Sequence, residues 1–175
     1  AKINAESVFV FPNNGNVILA AQQAAELTKD KHVYVIPTKN VTMGIAGIIG
    51  FQDGASDEEN VEHMNEAAQR VRTCTVTYAV RDSVIDDLQI KEGDIIGLHN
   101  GKVEAKGEQP QIVAKELMQK IVTEDDELIT VYYGSDVSES NAQVLTDQLA
   151  AQFPDCDVEM HKGGQPLYYY LISVE

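Results

Sequence analysis

The chain has 175 residues, of which 43% are hydrophobic and 23% are charged, so it is long and apolar enough for one good-sized domain or two small lobes. Its formal net charge is −15, and a surface of that sign repels phosphate backbones and anionic lipid heads. We therefore expect neither nucleic acid nor direct membrane insertion, and we attribute the acidity either to solubility or to a basic protein partner. No apolar run reaches the roughly 18 residues of a membrane span, and the opening AKINAES lacks the basic-then-apolar pattern of a signal peptide.

The cysteines, histidines and paired carboxylates give no sign of a metal site or a disulfide framework. Cys74 and Cys156 lie far apart with no C-x-x-C spacing, which favours free thiols in a reducing cytoplasm. The four histidines are scattered, so no pair has the spacing of zinc ligands. Three carboxylate pairs occur in turn-like contexts where we expect them to be solvated: Asp86-Asp87, Asp125-Asp126 and Asp155 with Asp157.

In chain order, the first elements form a repeated unit. Residues 7–11, SVFVF, predict a strand that ends at Pro12, and residues 16–28 predict a helix with Asn16 as its N-cap. The apolar positions of that helix nearly encircle it, so we expect it to be well buried. The run VFVFP recurs as VYVIP at an offset of 25 residues, followed by a polar loop and a helix whose glycines favour close packing. Two successive strand–loop–helix units with short connections predict a parallel sheet with right-handed crossovers.

The middle of the chain predicts antiparallel structure. Residues 58–72 have the apolar period of an amphipathic helix, and a strand is predicted at 73–80. Asn100-Gly101, between IIGLH and KVEAKG, is a strong signal for a two-residue hairpin turn. We therefore expect at least one β-hairpin between the two α/β ends of the chain.

Alternation of helix and strand returns in the last third. A helix is predicted at 110–122, with an apolar face of Ile112, Val113, Leu117 and Ile121, and the following elements are a strand at 127–134, a helix at 138–153, and strands at 156–164 and 166–175. The last strand ends with the chain, which indicates that the carboxyl end is tied into a sheet.

Together these elements predict an α/β fold class. We expect a mixed, largely parallel sheet of repeated strand–loop–helix units, with an antiparallel β-hairpin region in the middle. We treat residues 1–175 as a single domain, and whether residues from about 73 to 107 form a β-rich sub-lobe stays open.

Polar residues cluster where the predicted strands end, which is where open α/β sheets bind ligands. Four stretches qualify: Asn13-Asn14-Gly15-Asn16, Thr38-Lys39-Asn40, Arg81-Asp82-Ser83 and Gly134-Ser135-Asp136. Together they offer amides, hydroxyls and two cations that suit an anion or the polar loop of a partner protein. The alternative is that the asparagines adopt turn geometry and cap helices.

The motifs of nucleotide and acyl-transfer enzymes are missing from the sequence. There is no G-x-G-x-x-G or G-x-x-x-x-G-K-[ST] phosphate loop, and there is no G-x-S-x-G nucleophile elbow. The Gly-Gly of HKGGQP, residues 161–166, either bends near a ligand or makes a tight turn between the last two strands. At least one of the three consecutive tyrosines at 168–170 should face outward, where it suits an interface.

Four long segments together resemble one known family: VFVFPNNGNVILAA, YVIPTKNVTMGIAGII, TYAVRDSVIDDLQIKEGDIIGLHNGKV and GGQPLYYYLISVE. They are similar to the carboxy-terminal domain of the fatty acid kinase ATP-binding subunit of Gram-positive bacteria, a relative of dihydroxyacetone kinase. The resemblance covers nearly the whole chain. It implies a fold of the DegV and dihydroxyacetone-kinase type, similar to that of the kinase's lipid-binding partner.

The resemblance also implies a division of labour within a larger kinase. ATP and magnesium would bind an amino-terminal domain that is not part of this sequence, which fits a chain that opens without methionine, so we expect no cofactor here. The intact protein, a phosphotransferase, would convert a fatty acid carried by a separate subunit to an acyl phosphate for phospholipid synthesis. The domain described by this sequence would dock that fatty-acid-binding subunit, but it would not be catalytic alone.

On this interpretation the strand-end loops contact the partner subunit. The expected partner-binding residues are Asn13, Asn14, Asn16, Thr38, Lys39, Arg81, Asp82 and Gln165. The acidity of the chain implies a basic patch on the partner and association that weakens with salt. Other domains of the same chain are further expected contacts, and a homodimer of the full-length protein stays open.

Two alternatives compete with docking. In the first, the domain supplies a phosphate-handling residue, Lys39 or Arg81, to the kinase site. In the second, it is a structural or dimerising module. Fatty acid preference belongs to the partner and is not encoded here.

Overall fold

A computed structural model describes residues 3–85 and 88–175 of the chain. They fold into two compact units, Ala1–Val71 and Arg72–Glu175. This division does not decide whether the two units form one domain of a larger protein, so the single-domain interpretation stays a prediction.

The amino-terminal unit contains the two predicted strand–loop–helix repeats. Strands β1 (Ser7–Val10) and β2 (His32–Val35) pair in parallel, with Ser7 opposite His32 and Val10 opposite Val35. The helices are α1 (Ile18–Leu27), α2 (Val41–Ile49) and α3 (Asp57–Arg70), and a 3₁₀ turn at Gly15–Val17 precedes α1. The parallel pairing predicted from the VFVFP and VYVIP repeat is confirmed.

Local signals set the ends of α2 and α3 and the close packing between them. The Asn40 side chain caps α2 by accepting from the Met43 amide, and Ser56 with Glu59 forms a capping box at the start of α3. A Cβ on Gly50 would lie 2.9 Å from the Ala67 Cβ, so only glycine lets the end of α2 approach α3 this closely. The close packing predicted from the glycines of this helix is confirmed.

The prediction that α1 is well buried is wrong. None of its residues is buried, and Leu19 and Leu27 are 74% and 79% exposed. Only one stripe of the helix, beginning at Ile18 and Ala21, is half-buried, because the two-stranded sheet offers a narrow surface to pack on. Nor does Asn16 cap the helix: the Asn14 side chain accepts from the Asn16 amide and caps the 3₁₀ turn.

The carboxy-terminal unit is built on a six-stranded sheet covered by two helices. Its strands lie in the order β7-β6-β3-β10-β8-β9, and only β8 and β9 pair in parallel. The bounds are β3 (Arg72–Tyr78), β6 (Ile95–His99), β7 (Lys102–Gly107), α4 (Pro110–Ile121), β8 (Leu128–Tyr133), α5 (Glu139–Gln152), β9 (Asp157–Lys162) and β10 (Tyr168–Val174). The fold is therefore the predicted mixed α/β class, with antiparallel pairing that also includes the last strand.

The core of this unit lies between the sheet and its helices. Helix α4 packs on β3, β6 and β7, while α5 packs on β8 and β9 and contacts α4. The largest fully buried side chains include Leu117, Met118, Leu145, Leu149, Tyr170 and Ile172. Burial at this level contributes roughly 1.5–3 kcal/mol for each large apolar side chain.

Two hairpins occur in the middle of the chain, as predicted. Asn100 and Gly101 have φ of 50° and 80° and join β6 to β7, which matches the two positive φ angles of a type I′ turn. A separate two-stranded sheet consists of β4 (Ser83–Ile85) and β5 (Leu88–Ile90). The predicted solvation of Asp86 and Asp87 concerns residues outside the described part of the chain.

The last two strands do not form a hairpin, so the tight-turn interpretation of HKGGQP is wrong. β9 lies at the sheet edge, and the loop after it carries the chain past β8 so that β10 enters between β3 and β8. The amides of Gly163 and Gly164 both donate to the Tyr133 carbonyl on the way. Tyr168 is exposed and Tyr170 is fully buried, which confirms that at least one tyrosine of the run faces outward.

Asp126 is buried in an ion pair, which corrects the prediction that it is solvated. It is 8% exposed, and its carboxylate accepts a hydrogen bond from the Arg72 guanidinium. The Thr123 amide donates to the other carboxylate oxygen at 2.6 Å, and Arg72 also donates to the Ile121 carbonyl at 2.6 Å. Burial of the carboxyl raises its pKa, but the hydrogen bonds from Arg72 and Thr123 outweigh burial and hold the pKa of Asp126 below its usual range.

We predict that Asp126→Asn lowers the free energy of unfolding by about 2–4 kcal/mol at neutral pH, because it leaves the Arg72 charge without its partner. Since the folded pKa of Asp126 is lowered, its stabilisation is present above the unfolded value of about 3.9 and is lost as pH falls through the folded value. Urea unfolding at neutral pH and at about pH 3 measures both effects.

The matched control is Asp125→Asn, which changes the same charge on the exposed neighbouring side chain. We expect it to change stability by less than about 0.5 kcal/mol. Equal effects of the two substitutions at neutral pH would contradict the structural role of the Arg72–Asp126 pair.

Candidate functional site

The polar loops that follow β1 and β2 meet at the ends of the two strands. The Asn13 amide donates to the Thr38 hydroxyl at 3.1 Å, and that hydroxyl donates to the Asn13 side-chain oxygen at 2.8 Å. We call the set Asn13, Asn14, Asn16, Thr38 and Lys39 the strand-end cluster. The structure thus brings together two of the four stretches singled out in the sequence.

The backbone geometry explains why asparagine and glycine occur here. Asn13 has a φ of 54°, in the left-handed region that asparagine tolerates better than most residues. Its side chain packs against α2 at Gly44, where a Cβ would lie 2.2 Å from the Asn13 side-chain oxygen. Glycine at this position therefore lets the helix accept the asparagine.

The cluster divides into supporting and exposed residues. Thr38 is fully buried and positions Asn13, so its contribution to binding would be indirect. Asn14 holds the following turn through the Asn16 amide at 2.9 Å. Asn14, Asn16 and Lys39 are exposed to solvent. These exposed side chains present amide groups and a cation beside the start of α2, where helix amides and the helix dipole favour a negatively charged group.

Arg81 and Asp82 lie in the carboxy-terminal unit, directly after β3, and both are exposed. The Asp82 carboxylate accepts from the Glu92 amide at 2.7 Å, which ties this loop to the turn before β6. Beside it lies a groove of about 320 Å³ along the β4–β5 hairpin, lined by Asp82, Ser83, Val84, Gln89, Ile90 and Lys91. Arg81 is therefore held on a fixed loop while its guanidinium stays accessible.

Gln165 belongs to the loop between β9 and β10, and it holds that loop in place. Its side-chain amide donates to the Tyr132 carbonyl at 2.9 Å, and its own carbonyl accepts from the Ser135 amide at 3.0 Å. A Cβ on Gly134 would lie 2.0 Å from the Tyr168 carbonyl oxygen, so glycine is needed at this crossing. The structure thus brings Gln165 to the Gly134-Ser135-Asp136 stretch, which the sequence had singled out separately.

A groove between α4 and α5 was missed by sequence reasoning. It has a volume of about 670 Å³ and is lined mainly by amide side chains, including Gln111, Gln119 and Gln148. Ile112, which the sequence placed on the buried face of α4, is 50% exposed at this groove, and that prediction is wrong. The signal available in the sequence was the spacing of polar residues around Ile112, which places it outside the stripe of Val113 and Leu117.

Nothing in the described part of the chain has the arrangement of a metal centre. Among residues 3–85 and 88–175, no group of three His, Cys, Asp or Glu side chains is placed to hold a metal ion. In the same residues, no helix is long and apolar enough to cross a bilayer. The groups that the site does offer are exposed amides, Lys39 and Arg81, which suit binding of a polar or anionic surface.

The fold places the chain in the class of DegV-like mixed α/β proteins. It matches the Streptococcus pneumoniae fatty acid kinase B3 protein, solved with linoleic acid, with a TM-score of 0.65 over 98% of this chain and 72% of that chain, at 17% identity. It matches the DegV family protein Cg2579 of Corynebacterium glutamicum with a TM-score of 0.69 over 97% of this chain and 74% of that chain, also at 17% identity. At such identities the likeness establishes the fold.

The chain belongs to the FakA-like C-terminal family of fatty acid kinases, whose model matches residues 1–175. It is 40% identical to the Bacillus subtilis protein YloV over 173 residues, which cover 99% of this chain and 31% of YloV. A Staphylococcus epidermidis relative is 36% identical over 95% of this chain and 30% of its own length. The chain thus spans about a third of these relatives, and the family expected from the resemblance is confirmed.

We predict that Gly44→Ala lowers the free energy of unfolding by about 1–3 kcal/mol, because the added methyl would displace Asn13 and break its bond to Thr38. This cost opposes the gain of up to about 1 kcal/mol that alanine brings to a helix. Chemical denaturation measures the difference.

Two further variants make this prediction specific. Gly15→Ala serves as the control, because its Cβ would meet nothing closer than the Lys39 Cγ at 4.0 Å, and we expect little change. Adding Asn13→Ala to Gly44→Ala removes the clash and should make the two substitutions non-additive. Additive losses would show that the methyl group is not felt through Asn13.

Proposed function

We propose that this chain is the module of a fatty acid kinase that docks the fatty-acid-binding subunit of the kinase. ATP and magnesium bound on another domain of the parent protein would then phosphorylate the fatty acid carboxylate to an acyl phosphate for phospholipid synthesis. The observation that carries the proposal is the exposure of Asn16, Lys39 and Arg81 on ordered strand-end loops in a chain of this family.

The charge of the chain supports a protein partner with a basic patch. A net charge of −15 raises the association rate with a positive surface and opposes binding to another acidic surface. The Lys39 and Arg81 loops would then contact acidic or amide groups of the partner's surface. Docking of this kind weakens as salt screens the charges.

The state of the cysteines is consistent with a cytoplasmic kinase. Cys74 and Cys156 are both free thiols. Burial raises the pKa of Cys74 to about 12, so it is inert at neutral pH. The Cys156 thiol donates to the Asp126 carbonyl at 3.0 Å, so it also has a structural role.

One observation favours a second function, in which Lys39 handles phosphate. Its loop ends at the start of α2, where free helix amides and a cation together favour an anion. On this alternative the domain contributes to phosphoryl transfer as well as to docking. Nucleotide or acyl phosphate would then bind to the chain, and Lys39→Ala would abolish that binding.

Calorimetric titration with the fatty-acid-loaded binding subunit tests docking directly. We expect binding without ATP, and an affinity that falls when ionic strength is raised from about 0.05 M to about 0.5 M. Heat from ATP alone with this chain, or acyl phosphate formed by this chain alone, would favour the phosphate-handling alternative. Self-association with no binding of the lipid carrier would favour the dimerising module.

We predict that Arg81→Ala weakens this binding by about 1–3 kcal/mol, the range for a lost charged contact, and that Lys39→Ala has a smaller effect of the same sign. The matched control is Arg70→Ala, which removes the same charge from an exposed position on α3 whose only ion pair in the described chain is with Glu66 at 3.7 Å. If Arg70→Ala weakens binding as much as Arg81→Ala, the loss comes from net charge and not from the strand-end loops.

A further inference from the structure

We propose that the two-stranded parallel sheet of the amino-terminal unit is part of a larger sheet in the parent protein. A strand from outside residues 1–175 pairs in parallel with the outer edge of β1. This inference does not depend on docking of a lipid carrier, because it concerns contacts within the parent chain.

The hydrogen bonds of β1 show which amides are available for such pairing. The His32 amide donates to the Glu6 carbonyl at 3.0 Å, and the Ile36 amide donates to the Val10 carbonyl at 2.9 Å. Because successive residues of a strand point their backbone groups to opposite sides, the amides of Ser7 and Phe9 face away from β2. Within the described residues β1 pairs with β2 alone, so this edge has no strand beside it.

The packing around the sheet is as incomplete as its pairing. Parallel sheets are normally covered on both faces, and a pair of strands alone is marginally stable. Helix α1 has the composition of a buried helix, yet all of its residues are at least partly exposed. Large apolar side chains are exposed on both helices of the unit that follow a strand: Leu19 and Leu27 on α1, and Val41, Ile48 and Ile49 on α2.

The length of the related proteins indicates what covers this surface. The chain spans 31% of YloV, and the family is a carboxy-terminal one, so the additional length of such relatives precedes the matched region. The structures with this fold also extend beyond the match, since 72% and 74% of two of them are covered. Each therefore has room for a further strand and helix in the same fold.

The position in the chain favours the edge of β1 over that of β2. Strands that follow each other in sequence are usually neighbours in the sheet, and β2 already follows β1. A parallel strand before β1 needs a crossover of about a dozen residues or more, so the strand and its helix both lie upstream of residue 1. The outer edge of β2 is also short, because Pro37 interrupts it just after Ile36.

Residue-resolved hydrogen exchange compares the parent protein with residues 1–175. We expect the Phe9 amide to exchange at least about tenfold more slowly in the parent, measured relative to the Val10 amide, which faces β2 in both proteins. An unchanged ratio of Phe9 to Val10 protection would overturn the proposal. Slower exchange at Val33 and Val35 instead would place the added strand on β2, which also overturns it.

A pair of substitutions at Ser7 gives a second readout. Ser7→Ala removes the hydroxyl that donates to Asp57, whereas Ser7→Pro removes both that hydroxyl and the outward amide. If an external strand accepts from this amide, the difference in unfolding midpoint between the two variants is larger in the parent than in residues 1–175. An equal difference in both proteins would contradict pairing at this residue.

The remaining occupant to distinguish is a second copy of the chain. If protection of the Phe9 amide in residues 1–175 rises with protein concentration to the level seen in the parent, the edge pairs between copies and the proposal fails. Protection that is independent of concentration and present only in the parent supports it. Neither experiment contains the lipid carrier, so failure here leaves the docking proposal intact.

Discussion

The carboxy-terminal unit depends on the insertion of β10 between β3 and β8. This strand completes the hydrogen bonding of both neighbours, and Tyr170, Ile172 and Val174 fill the core beneath α4 and α5. The chain end is fixed as well, since the Glu127 and Leu128 amides both donate to the Glu175 carbonyl. Because the central strand is the last one in sequence, its pairing with β3 joins residues about a hundred positions apart, and such non-local pairing is slow to form.

How much of the fold the sequence predicts follows from the range of each signal. The repeat of strand, proline and polar loop, and the Asn100-Gly101 turn, are local patterns that describe their own backbone geometry, and both predictions are confirmed. The place of β10 is set by competition between strands for partners, which no local pattern encodes. The burial of Asp126 likewise depends on Arg72, 54 residues away, and a turn-like context alone predicts solvent.

The strand-end cluster shows the same limit at the scale of single side chains. The sequence left open whether its asparagines form turns or contact a partner, and the structure divides them: Asn13 and Asn14 make turn and cap contacts, while Asn16 is exposed and uses only its backbone amide. What decides Asn13 is Gly44, which lies on the next helix and gives the asparagine side chain its space. Polar residue type predicted the place of the cluster, and packing against α2 set the role of each member.

This division separates the residues that hold the loops from those that reach solvent. Thr38, Asn13 and Gln165 spend their polar atoms on hydrogen bonds within their own units, so substituting them changes stability before it changes any surface. Lys39 and Arg81 are exposed on ordered loops, so their side chains can vary at little cost in stability. A surface built in this way keeps its shape while its charge changes, and a loss of binding at Lys39 or Arg81 therefore reports on contact with the partner and not on unfolding.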